Sequence, residues 1–448
     1  MDTITATPDY RTFLLDSDET ACREFCTGLA DATLAEELER FSAAEIWRVL
    51  NTLDLRRRAM IFGRLDLERQ VELASSISSE SLVELITAMQ ADERADLYKI
   101  LPESIQDSVM PFLAKAERED IRKLSSYEEG TAGAIMTSDY VAFKPDLTVA
   151  EALAKIRREW SGKETIYYTY VVDEKRRLLG FVSLRNLILA KPTSVLASIM
   201  QTDVMFGRVS DDQEEIAQII ALHNLIALPI INGGDTLVGI VTHDNALDVV
   251  TEEATEDILR MAGMEAEEQV DSPFYKSVIF RAPWLSINLI TAISASFVVS
   301  LFQDTLSHYI VLAAMMPIIA GMGGNAGTQA LAITVRGIAL GEVSLATGRG
   351  LIIKEVAAGC ANGILLGLLM GVIAYLWMGN VWLGLIMFLS MAANLMIAGL
   401  FGSVIPLTLK ALKIDPALGS SIFITTATDV GGFLIFLSLA TLMLNKLA

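Results

Sequence analysis

Five long apolar runs near its C-terminal end limit most strongly how this chain of 448 residues can fold. They cover approximately residues 284–302, 309–334, 355–378, 381–409 and 418–444. Each reaches the ~20 residues that a helix needs to cross the hydrocarbon core of a bilayer. Because backbone groups in that core must be paired within the segment, the runs predict five membrane-spanning helices, numbered span one to span five in chain order. A soluble single-domain enzyme is thereby excluded.

Charge is divided unevenly along the chain. Residues 1–271 contain 50 acidic and 27 basic residues, whereas residues 272–448 contain 5 and 8. An acidic, water-exposed part therefore precedes the apolar part, and we expect no nucleic-acid partner because the acidic part repels phosphate. Basic residues stand before span one and after spans two and four, which by the positive-inside rule places the N-terminal part in the cytoplasm. These residues are Arg281, Arg336, Arg349, Lys354, Lys410 and Lys413.

Short amphipathic segments separated by polar breaks fill residues 20–130. Helix starts are indicated at Ser42, at Ser78 or Ser79, and at Pro102 with Glu103. The breaks recur about every 12 residues, which favours a superhelix of helical repeats over a globular bundle. The predicted helices cover residues 34–41, 44–53, 80–89, 92–101 and 104–110. Cys22 and Cys26 have no histidine partners there, so we expect buried thiols rather than a metal site.

A duplication follows. Residues 135–139 match residues 199–203, and residues 179–183 match residues 238–242. In each copy an apolar strand precedes the second match and a helical pattern precedes the strand, so a β-α-β unit repeats after about 60 residues. The pattern resembles a tandem pair of CBS modules, which commonly bind adenine nucleotides or metal ions and regulate an attached domain.

Nucleotide sites of such modules often contain Ser or Thr followed three residues later by Asp. Here the two motifs begin at Ser183 and Thr242 but end in Asn186 and Asn245. Asparagine still bonds a ribose hydroxyl but loses the charge-assisted bond, so ATP binding stays an open prediction. The expected contacts of a bound adenine nucleotide are Tyr168 and Arg185.

An acidic helix is predicted between the duplicated region and the first span. Glu253, Glu256 and Asp257 lie at i, i+3 and i+4 and therefore share one face. Two interpretations stay open: a solvated acidic face, or hard-oxygen ligands for a divalent cation. The position of the helix beside the membrane and the many acids before it favour the second.

Span two carries polar side chains among glycines. Asn325, Thr328 and Gln329 follow Pro317 in a run that contains four glycines. Amides at this depth must be hydrogen-bonded between helices or face a water-filled cavity. Helix packing explains the glycines, whereas a role in lining or supporting a pore explains the polar residues better.

Ser421, Thr425 and Asp429 form a polar stripe along span five because they are four residues apart. A carboxylate at that depth costs ~2.5–3.5 kcal/mol on insertion scales, and no lysine or arginine stands at the same depth in any span. Asp429 is therefore either protonated or beside a cation pathway, and we favour the pathway. One carboxylate from each subunit of a symmetric dimer suits hydrated Mg²⁺, which dehydrates reluctantly. The residues alone indicate a divalent or monovalent cation.

Together these features resemble the MgtE family of bacterial magnesium channels over nearly the whole chain. The most specific stretches are residues 127–133, 164–168, 321–329, 415–417 and 428–432. The resemblance implies a multi-domain membrane protein. Its parts are a superhelical α-helical N domain (1–130), tandem α/β CBS modules (131–250), an acidic connecting helix (251–272) and a five-helix transmembrane domain (273–448).

The same resemblance implies a homodimer with one pore on its two-fold axis, lined mainly by spans two and five. Asp429 matches the acid that binds hydrated Mg²⁺ in the pore. Cytosolic Mg²⁺ would close the pore by bridging acidic groups of the N domain, the CBS pair, the connecting helix and the membrane domain. The matching positions are Asp92, Asp96, Glu214, Asp248, Glu253, Glu256, Asp257 and Asp415. Asn224 and Asn245 stand where the family can offer aspartate, which should weaken sensing or move it to higher Mg²⁺.

Two other functions stay open. A secondary transporter would use Asp429 as a proton or Na⁺ coupling site, although no internal repeat is visible in the five spans. A membrane-anchored CBS sensor would relay nucleotide state to a partner and would conduct nothing. We expect no enzyme, because the N-terminal part shows no nucleophile–base pair, phosphate loop or zinc spacing.

Overall fold

The structure is a computed structural model that describes residue 14 and residues 19–159, 165–264, 268, 273–343 and 347–443. Two compact units make up the chain, Met1–Val249 and Val250–Ala448. Glu164 of the 164–168 motif and most of the predicted connecting segment after residue 264 lie outside the described residues.

Short helices build the beginning of the first unit, as predicted. Their starts carry the expected caps: both the backbone N–H and the hydroxyl of Ser42 donate to Glu45 Oε2 at 2.8 Å, and Ser78 Oγ accepts from the Ser81 N–H. From the second helix to the seventh, each packs on the second helix after it, which is the superhelical arrangement. The helices are α1 (Glu19–Thr27), α2 (Asp31–Leu38), α3 (Ala43–Leu50), α4 (Leu55–Gly63), α5 (Leu67–Ser76), α6 (Ser79–Ala88), α7 (Ala91–Ile100), α8 (Glu103–Val109) and α9 (Lys115–Leu124), with a 3₁₀ turn at Met110–Phe112.

The core of these helices is apolar and includes both predicted thiols. Leu34, Ile46 and Phe62 are fully buried at its centre. Cys22 and Cys26 are buried on α1, and burial beside Cys22 raises the pKa of the Cys26 thiol to about 12. The prediction that both thiols are buried is confirmed.

The duplicated region forms two sheets with one topology. In each sheet the first strand pairs parallel with the second, and the second pairs antiparallel with the third. The strands are β1 (Val141–Phe143), β2 (Tyr168–Val172), β3 (Leu178–Ser183), β4 (Gly207–Arg208), β5 (Ala227–Ile231) and β6 (Leu237–Thr242). The helices are α10 (Ala132–Ile135), α11 (Val149–Glu159), α12 (Leu184–Leu189), α13 (Leu196–Ile199) and α14 (Gln213–His223).

The four matching motifs of the duplication contact one another crosswise. Thr137 bridges Ile240, and Phe181 bridges Gln201. A Cβ at Gly239 would lie 2.5 Å from Met136 Sδ, so the second copy needs glycine where the first copy crosses it. The repeated motifs therefore form the contact surface between the two modules.

Helix α15 (His243–Met261) corrects the predicted start of the connecting helix at residue 251. It begins directly after β6, because neither glycine nor proline interrupts residues 243–261. It ends before Gly263, whose φ of +73° is a left-handed conformation typical of helix termini.

Within the described residues, five helices are long and apolar enough to cross a membrane, as predicted. They are span one (Phe274–Ser300), span two (Val311–Ala339), span three (Gly348–Met378), span four (Val381–Ala411) and span five (Ser420–Leu442), with the short helix α16 (Gln303–His308) after span one. Spans one and three begin earlier than the apolar runs. Apolar composition marks only the part in hydrocarbon, whereas the helical turns continue through Arg281 and Arg349 into the polar region.

Span four is the centre of the membrane unit. It packs against spans two, three and five, and 56% of its apolar window is buried, against 6% for span one. Its contact with span three is close because glycines recur every four residues there, and a Cβ at Gly363 would lie 2.8 Å from Ala392 Cα. Such small residues let helix backbones approach in a membrane.

Candidate functional site

The polar stripe of span five lies on one face, as the spacing predicts. Asp429 is half-buried, about nine residues into the helix, which corresponds to roughly 13 Å at 1.5 Å per residue. Thr425 Oγ1 donates to the Ser421 carbonyl at 2.8 Å, so the hydroxyl proton of Thr425 is hydrogen-bonded within its own helix. Within the described residues Asp429 accepts no hydrogen bond and forms no ion pair, so its carboxylate remains available to a cation or to water.

Glycines and amides of span two point to opposite sides. Gly323 and Gly327 are buried; a Cβ at either would clash with span four or span five. Asn325, Thr328 and Gln329 are exposed on the surface of the chain. Thr328 Oγ1 donates to the Gly324 carbonyl at 3.0 Å, whereas the two amides make no hydrogen bond in the described part of the chain. Within this chain, Gly323 and Gly327 therefore form the packing face of span two. The amides of Asn325 and Gln329 lie outside that face and are available for another contact.

Asn394 on span four was missed by the sequence reasoning. It is fully buried, and its Nδ2 donates to the Ile319 carbonyl of span two at 2.9 Å. A lone amide inside an apolar run was the available signal, similar to the one that drew attention to Asn325.

The acidic face of α15 has a basic partner on the same helix. Arg260 forms ion pairs with Glu256, one turn earlier, and with Asp415 in the segment before span five. Burial, Asp415 and Glu253 together raise the pKa of Asp257 to about 6. Glu256 is therefore paired with Arg260, while Asp257 lies in an excess of negative charge. The Glu–Arg spacing of four residues would have revealed the pair.

A second acidic cluster joins α7 to the second CBS module. Asp92 is 6% exposed, and its Oδ2 accepts a hydrogen bond from Asn245 Nδ2 at 2.8 Å. The same Nδ2 donates to the Ile135 carbonyl at 2.9 Å. Asn245 therefore holds the N domain directly instead of lying free for a nucleotide ribose.

Neighbouring carboxyls in this cluster have raised pKa values. Burial, with Asp92 nearby, raises the pKa of Glu93 to about 7. Burial raises the pKa of Asp96 to about 6, although Lys99 at 3.3 Å opposes the shift. Burial and Asp244 also raise the pKa of Asp248.

The predicted regulatory ligands are not assembled into a metal centre here. Within the described residues, no group of three or more His, Cys, Asp and Glu side chains could hold a metal ion. Glu214 stands in the first turn of α14, where its Oε1 accepts from Gln218 Nε2 at 3.2 Å. Asn224 ends that helix in a left-handed conformation, φ +49°.

A cavity of about 210 Å³ opens between the two CBS modules. Tyr168 lines it and meets Phe181 edge to face at 5.3 Å between centroids, whereas Arg185 is exposed on α12 and is not among the lining residues. Asp203, which the sequence reasoning missed, lines it too. The remaining lining residues are Tyr170, Gln201, Val204, Met205, Leu225, Ala227 and Pro229.

Models of known families match three parts of the chain. Residues 316–439 match the MgtE model, described as a divalent cation transporter. Residues 29–130 match the MgtE intracellular N domain, and residues 132–192 and 196–252 match the CBS domain.

Two curated relatives are similar to this chain over most of its length. The chain is 36% identical to the magnesium transporter MgtE of Enterococcus faecalis over 73% of this chain and 72% of the relative. Identity to the magnesium transporter MgtE of Thermus thermophilus is 38%, over 73% of each.

The chain is similar to the crystal structure of the soluble part of a magnesium transporter. The sequence identity is 30% and the TM-score is 0.51, over 55% of this chain and 96% of that one. The cytosolic domain of the Mg²⁺ channel MgtE in complex with ATP is 35% identical, with a TM-score of 0.50 over 53% and 98%. The chain is a membrane protein that belongs to the MgtE family of divalent cation transporters.

Proposed function

We propose that the protein is a Mg²⁺ channel in which two copies form one pore and Asp429 of each copy binds the hydrated ion. The observation that carries this proposal is the half-buried Asp429 carboxylate without a partner in the described part of the chain. An uncompensated acid at such depth is costly, and a cation pathway removes that cost.

The exposed amides of span two support the dimer. Asn325 and Gln329 would face lipid if the chain were alone, and unpaired amides are unfavourable in hydrocarbon. A second copy related by a two-fold axis would cover the same surface on both chains and enclose a wet path between them. Spans two and five pack together within one chain, so both polar faces can contribute to that path.

The ligand chemistry supports Mg²⁺ as cargo. Asp429, Asn325 and Gln329 offer oxygen atoms, and histidine and cysteine are absent from the two faces. Oxygen ligands suit a hard cation, and carboxylates that hold its first-shell waters do not require it to dehydrate. The relatives named above are magnesium transporters.

An electrical gradient alone should drive Mg²⁺ into proteoliposomes containing the full-length protein. A channel needs no second ion, so the rate should be unchanged when proton and Na⁺ gradients are collapsed. The measurement is fluorescence of an entrapped Mg²⁺ indicator after a K⁺–valinomycin potential is imposed. Uptake that begins only after a proton or Na⁺ gradient is added would instead establish a coupled transporter.

Cytosolic Mg²⁺ is the regulator in this proposal. In the first unit the acidic groups are Asp92, Asp96, Glu214 and Asp248; in the second unit they are Glu253, Glu256, Asp257 and Asp415. The raised pKa values of Asp96, Asp248 and Asp257 reflect burial and repulsion by carboxylates near each of them, both of which a bound cation would offset. Ions that bind the closed arrangement more tightly shift the population toward it. The basic residues beside the spans support a cytoplasmic position of these groups in the bacterial cell membrane.

Stability of the acidic cluster should fall as pH rises in the absence of Mg²⁺. Glu93 and Asp96 titrate near 7 and 6 in the folded state, above their ordinary 4.5 and 3.8. The folded state therefore holds these protons more tightly, and the contribution present below pH 4 is lost as pH rises through 6 to 7. Calorimetry of the full-length protein in detergent should show a lower unfolding midpoint at pH 8 than at pH 5.5.

Addition of Mg²⁺ should restore the midpoint more at pH 8 than at pH 5.5, since the cation binds the ionised carboxylates. NaCl at equal ionic strength is the matched control for general screening. A midpoint that rises from pH 5.5 to 8 without divalent ions would contradict the assigned direction.

An adenine nucleotide in the CBS cavity is a second part of the proposal. The cavity has two tyrosines and a phenylalanine for base stacking and Asp203 for ribose hydroxyls. The ATP complex of the similar cytosolic domain supports this assignment.

Tyr168→Ala should weaken ATP binding by about ten-fold, because base–aromatic stacking contributes ~1–3 kcal/mol. Calorimetric titration of the full-length protein checks it. Arg185→Ala is the matched comparison on the neighbouring helix and should change affinity less, since Arg185 does not line the cavity. Equal loss in both variants would contradict the cavity as the base site.

A further inference from the structure

Asn394 has a hydrogen-bonding pattern that packing alone does not explain. Its Nδ2 is bonded to the Ile319 carbonyl of span two, but its Oδ1 is buried with no donor in the described part of the chain. A buried amide oxygen without a donor is unfavourable. A leucine at position 394 would fill a similar volume without that penalty. The contribution of the amide therefore lies in the helices that it contacts, beginning with span two through Ile319.

Two glycines clamp this amide between spans two and five. A Cβ at Gly432 of span five would lie 2.9 Å from Cγ, Nδ2 and Oδ1 of Asn394. A Cβ at Gly323 of span two would lie 3.0 Å from Asn394 Cγ and 3.0 Å from Thr428 Cβ. Any larger residue at either glycine would displace the amide. The side chain of Asn394 therefore touches both helices that carry the pathway residues.

The clamped residues stand next to those of the pathway. Thr428 is fully buried and directly precedes Asp429, and Gly323 stands two residues before Asn325. Successive residues on a helix are about 100° apart, at 3.6 residues per turn. The contact that fixes the buried side of each helix therefore also fixes the direction in which its polar side points.

We propose that Asn394 is a positioning residue of the cation pathway: by joining spans two and five through its amide, it sets the rotation and depth of Asp429 and Asn325. This inference rests on the proposed role of Asp429. Asn394 touches no ion; it acts through the two helices. Loss of the amide should let span five turn or slide, and the carboxylates of a dimer would then meet a hydrated ion at the wrong spacing.

The test compares Asn394→Leu and Asn394→Ala with Ser390→Ala in proteoliposomes. Ser390 is the matched control: it is buried one turn earlier on span four, and its Oγ also lacks a partner in the described residues. In both Asn394 variants the half-saturating Mg²⁺ concentration should rise about ten-fold, as expected for the loss of one strong polar contact. Discrimination of Mg²⁺ from Ca²⁺ should fall with it. Ser390→Ala should keep both properties.

Asp429→Ala, measured in parallel, separates this inference from the proposed function. If Asp429→Ala keeps its flux, the pathway assignment itself is wrong. If Asp429→Ala loses flux while both Asn394 variants retain wild-type half-saturation and selectivity, the pathway stands and the positioning role is overturned. A lower unfolding midpoint with unchanged half-saturation would likewise show a purely structural residue. The alanine variant keeps the test decisive where leucine does not fit the clamp.

Discussion

Asp429→Ala is expected to reduce Mg²⁺ flux by about 30-fold or more. Loss of one partner of a desolvated charged contact costs ~2–5 kcal/mol, and each 1.4 kcal/mol is a factor of ten. The change removes the carboxylate from both copies of a dimer at once. No other carboxylate can replace it there, because Asp429 is the one acidic residue in the sequences of spans two and five. Flux under an imposed potential is the measurement.

Two further substitutions at Asp429 separate charge from shape. Asp429→Asn keeps the size and should be about as inactive as alanine, whereas Asp429→Glu keeps the charge on a longer stem and should retain part of the flux. Asp304→Ala is the control, since Asp304 is exposed on α16 outside the spans. Full flux in Asp429→Ala would move the ion site toward Asn325 and Gln329.

Local features of this fold were predictable from sequence. Ser42 and Ser78 mark helix starts because nearby side chains accept hydrogen bonds from free backbone N–H groups. Glu45 accepts from the Ser42 N–H, and Ser78 Oγ accepts from the Ser81 N–H, so the signal depends on a few adjacent residues. The five spans follow from apolar length, and the paired CBS modules follow from repeated motifs. The polar stripe of span five follows from helical spacing alone.

Contacts between distant residues were not predictable. Asn245 and Asp92 are 153 positions apart, and Arg260 and Asp415 are 155 apart. No pattern within one helix reveals which partner a side chain meets across a fold. The lone amide in an apolar run makes Asn394 a candidate, but the two glycines that enclose it stand on other spans, and no local pattern indicates that contact.

Asn245 gives a physical account of the departure from aspartate at this position. As an amide it donates to Asp92 and to the Ile135 carbonyl, and its Oδ1 accepts from Thr242 Oγ1 at 3.0 Å. The N domain is thereby held to the second CBS module without an ion. A carboxylate at the same position could donate to neither acceptor and would repel Asp92.

Asn245→Asp should therefore make this contact depend on Mg²⁺. Without divalent ions the two carboxylates should separate, and hydrogen exchange of residues 91–101 in the full-length protein should become at least about ten-fold faster, since a bond to a charged group contributes ~1.5–3 kcal/mol. Mg²⁺ should restore protection because two carboxylates can share one hard cation. Wild type should show little change on adding Mg²⁺.

Asn245→Ala separates the lost hydrogen bonds from the added charge. It removes both donations but introduces no carboxylate, so exchange of residues 91–101 should quicken without being rescued by Mg²⁺. In flux measurements Asn245→Asp should then close more steeply with cytosolic Mg²⁺ than wild type, because one more charged ligand enters the closed arrangement. If Asn245→Asp and Asn245→Ala respond to Mg²⁺ alike, Asp92 is not a cation ligand in this protein. Sensing must then depend on the acids around Asp257, where Arg260 already neutralises Glu256 and leaves Asp257 as the group that gains most from a cation.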